Sequence, residues 1–294
     1  MTAGIETVEL GKRFGSMWAL RDCSITVPAG AVAGLVGGNG AGKTTLLRAL
    51  AGLARPSAGR ASVAGMAPAD DAAFLARIGY LAQEVPLYRR WTGEDHLAMA
   101  AHLNPRWVDA IARDRLTGLQ IPLDRRVESL SGGMRAQLAL ALALGKQPEV
   151  LLLDEPLAAL DPFARHEFMA TLAGAIAEQP VTVLLSSHLL PDLERVCDHL
   201  VLLDRSTTVL CDAIDDLVAA HRVVTVPYEC VGVLEREHVV VSRQGDAREV
   251  SAVVRTGGPI VDPRWRVDDV ALEEIVLAYL GRGATGPQLA AVAS

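Results

Sequence analysis

The sequence is poor in aromatics, in paired cysteines, in positive charge and in uninterrupted apolar runs. Aromatic residues make up 4% of the chain although 50% is hydrophobic. The apolar content therefore rests on Ala, Leu and Val, which suits a closely packed α/β interior. Cys23, Cys197, Cys211 and Cys230 show no paired metal-ligand spacing, and reduced cytosolic thiols are the expectation. Lys and Arg total 28 against 35 Asp and Glu, a formal net charge of −7. Non-specific nucleic-acid binding depends on cations that neutralise phosphates, so this balance argues against it. A membrane-spanning helix needs about 20 mostly apolar residues. The best stretch, residues 23–42, carries no charge but contains Pro28, Asn39, Gly30, Gly34, Gly37, Gly38, Gly40 and Gly42. Lipid-facing backbone does not tolerate so many helix breakers. The opening MTAGIETVEL lacks an apolar signal region, so no secretory leader is expected. High hydrophobicity with modest net charge excludes a disordered chain. The 294 residues suit one large domain, or one with a small companion.

Short aliphatic runs at 31–36, 78–81, 150–153, 181–185 and 200–203 end in polar or glycine-rich residues. Their length and bounds predict buried parallel strands. Helices are predicted after Gly42, over about 134–144, and after Pro162 with Asp161 as N-cap. Strands alternating with helices define an α/β domain with a mostly parallel sheet. Residues 89–145 contain no good strand, and Thr92 can cap a helix through His96, Met99 and His102. This segment reads as a helical insertion. Beyond about residue 215 the pattern changes. Residues 222–228, 238–243 and 249–255 alternate apolar and polar as half-buried antiparallel strands do. Asp268 and Asp269 precede a helical pattern with Leu272, Ile275, Val276, Tyr279 and Leu280 on one face. The expected domains are therefore 1–215 and a small β-rich α+β domain over 216–281. The Gly/Ala-rich 282–294 is expected to be a disordered tail.

Gly37-Gly38-Asn39-Gly40-Ala41-Gly42-Lys43-Thr44-Thr45 matches the G-x-x-x-x-G-K-[ST] phosphate loop, between a predicted strand and a predicted helix. Glycines let backbone N–H groups converge on phosphate oxygens. The helix that follows points its positive end at the anion. Lys43 can reach β- and γ-phosphates, and the Thr44 hydroxyl can ligate Mg²⁺. Asp154 and Glu155 directly follow the apolar run 150–153. Beside a phosphate loop, Asp154 can hold Mg²⁺ through its water shell and Glu155 can polarise an attacking water. Alone, the pair would read as a solvated turn.

Gln83 follows the strand at 78–81 and His188 follows that at 181–185. Each alone could be a surface residue. Together with the phosphate loop and the acid pair they fall past the carboxyl ends of predicted parallel strands, where open α/β sheets place ligands. Ser131-Gly132-Gly133-Met134 precedes a long helix. It reads either as an ordinary N-cap or as a second anion-binding helix terminus, one without a lysine.

The order of these motifs resembles the nucleotide-binding subunit of ATP-binding cassette (ABC) transporters, over about residues 5–217. GGNGAGKTT looks like the family's Walker A and LLLDEP like Walker B with its catalytic Glu155. LSGGM looks like the signature, and Gln83 like the Q-loop glutamine that senses Mg²⁺ and the membrane partner. Leu160-Asp161 fits the D-loop and His188 the switch histidine. Phe14 matches the aromatic that stacks on adenine, with a simple core Phe as its other reading. The resemblance implies a P-loop NTPase cassette with a helical subdomain, binding ATP and Mg²⁺. It implies head-to-tail dimers, homo- or heteromeric, in which Ser131, Gly132 and Gly133 contact the nucleotide of the opposite protomer. It implies separate transmembrane permease subunits as partners, no direct nucleic acid, and attachment to the cytoplasmic face of the inner membrane. Gly38, Met134 and the serine-free Leu157-Ala158-Ala159-Leu160-Asp161 depart from the common pattern. The C-terminal domain with its LEEIVLAYL helix resembles the extension of bacterial drug and antibiotic exporters. A soluble ABC ATPase acting on nucleic acid or ribosomes and a non-catalytic cassette are the competing readings. The charge and the single cassette disfavour the first, and intact Glu155 disfavours the second.

Overall fold

The computed structural model describes residues 3–281; the tail expected over 282–294 lies outside them. The chain opens with two long antiparallel strands, β1 (Ala3–Phe14) and β2 (Met17–Pro28). β3 (Val32–Gly37), α1 (Lys43–Leu50), β4 (Ala58–Val63), the single-turn α2 (Ala72–Leu75) and β5 (Ile78–Leu81) follow. Next come α3 (Gly93–Leu103), α4 (Asp109–Gly118) and α5 (Gly132–Gly145), with no strand between them among the described residues. β6 (Val150–Leu153), α6 (Pro162–Glu178), β7 (Thr182–Ser186), α7 (Leu190–Leu193), β8 (His199–Asp204) and β9 (Thr207–Ala213) complete this part. The chain divides into two compact units between Cys211 and Asp212.

In the first unit a six-stranded sheet runs in the order β5-β6-β7-β3-β8-β9. Its first five strands are mutually parallel. They are the five aliphatic runs expected from the sequence, displaced by at most a residue or two. Every residue of β3, β6 and β7 is buried, as strands covered on both faces must be. The second sheet, β2-β1-β4, was not expected. β1 pairs β2 and β4 with several register shifts, and Glu9 and Asp22 take φ of +49° and +51°. Such bulges interrupt the alternation that marks a strand in sequence. The two sheets share a core that includes Ile5, Leu20, Val27, Leu46, Leu47, Leu50 and Phe74. Burying each of these side chains contributes about 1.5–3 kcal/mol against leaving it exposed.

The helical segment has a core of its own, built on Leu97, Ala112, Leu116, Val127, Leu130 and Leu138. Thr92 starts α3 with a reciprocal capping box to Asp95. His96 is fully enclosed: its Nδ1 lies 2.7 Å from Thr92 O, and Nε2 accepts from Tyr88 N at 3.0 Å. Asp161 caps α6 as expected, its Oδ1 accepting from Phe163 N and Ala164 N, both at 3.0 Å.

The second unit is a four-stranded antiparallel sheet, β11-β12-β10-β13, formed by β10 (His221–Pro227), β11 (Val239–Gly245), β12 (Glu249–Arg255) and β13 (Arg266–Asp268). It also holds α8 (Ile214–Ala220), α9 (Val231–Glu237) and α10 (Leu272–Gly281). Val224, Val226, Leu234, Val250, Val254 and Trp265 make its core. Leu272, Ile275, Val276 and Tyr279 form the buried face of α10, as the periodicity requires. Asp268 ends β13 and, with Asp269, precedes the helix as expected; α10 starts where Ala271 N donates to Glu274 Oε2 at 2.9 Å. Among the described residues no helix is long and apolar enough to cross a membrane.

Candidate active site

The phosphate loop leaves β3 and opens α1 at the carboxyl edge of the parallel sheet. Gly42, the N-cap, has φ +107°, and a Cβ there would lie 2.6 Å from Ala19 O and 2.7 Å from Leu20 Cδ2. Only glycine satisfies both the dihedral and the approach. Among the described residues no side chain caps the first turn of α1. Its leading N–H groups are thus available to an anion. Lys43 is buried to 6% exposure; its Nζ donates to Gly37 O at 2.8 Å and lies 3.3 Å from Glu155 Oε1.

Asp154 follows β6 and is 1% exposed. Its Oδ1 accepts from Thr44 Oγ1 at 3.1 Å and from Ser186 Oγ at 3.2 Å. Its Oδ2 is buried with no hydrogen-bond partner among the described residues. Burial pushes the Asp154 carboxyl up from its ordinary pKa; the Thr44 and Ser186 hydroxyls pull against that, and the Glu155 charge adds to it. An orphaned carboxylate oxygen beside a threonine hydroxyl is an all-oxygen donor set that suits a hard divalent cation such as Mg²⁺. No cluster of three or more His, Cys, Asp or Glu that could hold a metal occurs among the described residues. A cation held by Thr44 and Asp154 would need oxygen ligands from outside the protein to complete its shell.

Glu155 occupies the left-handed region at φ +46°. Its N–H donates to Ser186 Oγ at 2.8 Å. Its carboxylate reaches Lys43 through Oε1 and His188 Nδ1 through Oε2, each at 3.3 Å. The two neighbouring acids thus face different work: Asp154 turns to Thr44, and Glu155 turns to Lys43 and His188.

A cleft of about 420 Å³ is lined by Phe14, Ala19, residues 39–45, Gln83 and Glu155. Phe14 is 54% exposed with Lys12 Nζ 5.2 Å from its ring centroid, so it is not a core residue. An open aromatic face at the mouth of a phosphate cradle can stack on a base. Ser131, Gly132, Gly133 and Asp161 stand apart from this lining, at the N-termini of α5 and α6. Ser131 Oγ accepts from Met134 N at 3.2 Å, so it does serve as the N-cap. A Cβ on Gly133 would come within 2.9 Å of Ala164 Cβ, so the glycine lets the two helix starts lie close. Sequence reading missed Ala19, whose carbonyl shapes the loop, and Ser186. Ser186 was marked only by being a hydroxyl that follows the apolar Val183-Leu184-Leu185 at the end of β7.

A glycine-rich loop between a buried strand and a helix, with its lysine, its threonine and a carboxylate at the end of β6, two strands along the same sheet, defines a P-loop nucleoside-triphosphate-binding protein. Residues 20–158 match the family model described as ABC transporter. The Nod factor export ATP-binding protein I of Rhizobium meliloti (strain 1021) is 36% identical over 69% of this chain and 62% of its own length. Its counterpart from Rhizobium etli is 34% identical over 74% of this chain and 72% of its own. A sulfate/thiosulfate import ATP-binding protein of Synechococcus elongatus is 34% identical over 68% of this chain and 60% of its own. The solved structure of an ATP-binding subunit of an ABC transporter superposes with TM-score 0.66 and 28% identity, covering 74% of this chain and 92% of that one. The chain belongs to the ABC transporter ATP-binding family. The match spans 62% of the length of the first curated relatives.

Proposed function

We propose that this chain binds and hydrolyses ATP as a nucleotide-binding subunit and drives export through separate transmembrane subunits. The observation that carries the reading is the pairing at the sheet edge: Asp154 against Thr44 with one oxygen left open, and Glu155 between Lys43 and His188. The backbone N–H groups of the phosphate loop and Lys43 cradle the phosphates. Phe14 stacks on the base, and Gln83 borders the γ-phosphate side of the cleft. Thr44 and Asp154 would hold Mg²⁺, which neutralises charge on the β- and γ-phosphates. When phosphate draws Lys43 away, Glu155 is released to accept a proton from the attacking water, with His188 holding its other oxygen.

Ser131, Gly132 and Gly133, apart from this chain's cleft, cap the nucleotide of a second cassette in a head-to-tail dimer. Asp161 lies at the same junction. Closure on ATP and reopening after hydrolysis pull on the membrane subunits, and the helical segment carries the motion. The cassette, with its helical subdomain at about 89–145, gives way to the accessory domain close to the expected 215/216 boundary; the compact units divide at Cys211 and Asp212, which keeps α8 whole in the second. Attachment is to the cytoplasmic face of the inner membrane through the partners. Export has the two rhizobial export relatives in its support. Import has the sulfate/thiosulfate relative.

Mg²⁺-dependent ATP hydrolysis is expected, and Lys43→Ala lowers it by at least about a hundredfold, the scale of losing a charged phosphate contact. Glu155→Gln accumulates an ATP-bound dimer, seen as a larger species on size exclusion. A Glu155→Gln protein that turns over at the wild-type rate refutes the assignment. Co-purification from native membranes tests the partner. A membrane-spanning subunit supports transport, and recovery of ribosomes or DNA alone overturns it.

A further inference from the structure

Ser186 ends β7, between β6, which delivers the two acids, and β3, which delivers the phosphate loop. It is completely buried. A serine hydroxyl has one proton to donate and lone pairs to accept with. Here both capacities are used, and both go to the acid pair. Ser186 O–H donates to Asp154 Oδ1 at 3.2 Å, and Ser186 Oγ accepts from Glu155 N–H at 2.8 Å.

The first bond joins the Thr44 bond on Asp154 Oδ1 and leaves Oδ2 without a partner among the described residues. The second bond acts on the backbone. A non-glycine residue in the left-handed region costs on the order of 1–3 kcal/mol and persists only where its surroundings hold it. Glu155 has φ +46°, and its N–H is bonded to Ser186. The left-handed step breaks the strand's alternation, and the Glu155 carboxylate lies 3.3 Å from both Lys43 and His188. His188 is two residues beyond Ser186 on the same strand end.

We propose that Ser186 is a positioning residue for hydrolysis: through one hydroxyl it leaves Asp154 Oδ2 free for the Mg²⁺ shell and holds Glu155 in its strained left-handed conformation, with the carboxylate between Lys43 and His188. The proposal rests on the ATPase reading above for its kinetic part. Its structural part concerns the nucleotide-free protein alone.

The test compares wild type, Ser186→Ala and Ser186→Thr. The threonine keeps the hydroxyl and suits a strand. In nucleotide-free protein, hydrogen–deuterium exchange at the Glu155 amide is expected to quicken by about tenfold or more in the alanine variant. Threonine restores the protection. In ATP hydrolysis, Ser186→Ala lowers kcat by about 10–100-fold, the range for a hydrogen bond to a charged group. KM for ATP stays within about threefold, since the phosphate loop is intact. The Mg²⁺ concentration for half-maximal rate rises, and Ser186→Thr recovers both. An alanine variant with wild-type kcat and wild-type exchange at Glu155 overturns the proposal. So does one in which kcat and melting temperature fall while KM rises, without recovery by threonine, because that is loss of packing. A wild type with no ATPase but with hydroxyl-dependent protection at Glu155 overturns the functional reading and leaves the Ser186 bridge standing.

Discussion

At the scale of single residues, Asp154 carries opposite demands from folding and from its proposed chemistry. It is buried, and burial raises its pKa above the value it has in the unfolded chain. A group whose pKa is raised on folding contributes stability that is fully present below its unfolded pKa of about 3.9. That contribution is lost as pH rises through the folded value. At neutral pH the ionised carboxylate is therefore a net cost to the nucleotide-free protein. Asp154→Asn removes the charge and keeps an oxygen for Thr44 and Ser186. It is expected to stabilise the nucleotide-free protein at pH 7 by roughly 1 kcal/mol, typical of relief at a strained functional site. The advantage narrows as pH falls towards 4, and Mg²⁺-dependent nucleotide affinity falls in the same variant. Thermal melts at several pH values check the sign: an asparagine variant that melts lower at pH 7 than wild type contradicts it.

At the scale of elements, the phosphate loop shows how strongly one residue controls a helix start. Gly42→Ala would place a Cβ against Ala19 O at 2.6 Å in a backbone at φ +107°. Backbone strain and clash together are expected to destabilise the protein by about 2–4 kcal/mol and to remove nucleotide binding. Gly40→Ala meets open space at φ +79°, so only the dihedral is strained and the loss is smaller. Urea midpoints of the two variants, with Gly42→Ala the lower, are the measurement. The same contrast explains what was legible in the sequence. β3, β5, β6, β7 and β8 are short apolar runs because both faces are covered, and the loop chemistry sits just past their ends. Their positions, and the acids and histidine they deliver, could be read directly. β1 and β2 do not stand out, because register shifts interrupt their period along most of their pairing. β13 is three exposed residues with no pattern to find. The bridging role of Ser186 was hidden for another reason. It depends on which atoms meet across β6 and β7, and spacing along one chain does not encode that.

At the scale of the whole molecule, every residue of the proposed nucleotide site, from Phe14 to His188, precedes the division between Cys211 and Asp212. The first unit has its own core around α1 and a second core in the helical segment. The second unit has a separate core, built on Val224, Val254, Leu234 and Trp265. Units with independent cores lose little of each other's stability when parted. A chain ending at Ala213, which keeps β9 whole, should therefore fold and bind a fluorescent ATP analogue with the affinity of the full chain. Its Mg²⁺ dependence and its sensitivity to Lys43→Ala should also be unchanged, because Thr44, Asp154 and Lys43 keep all their partners. What the second unit adds then has to be read in the proposed assembly, as a change in ATP-induced dimer formation or in the yield of any membrane-spanning subunit on co-purification. A shortened chain that folds, by its melting curve, yet binds nucleotide at least about tenfold more weakly would overturn the expectation that nucleotide binding needs the first unit alone.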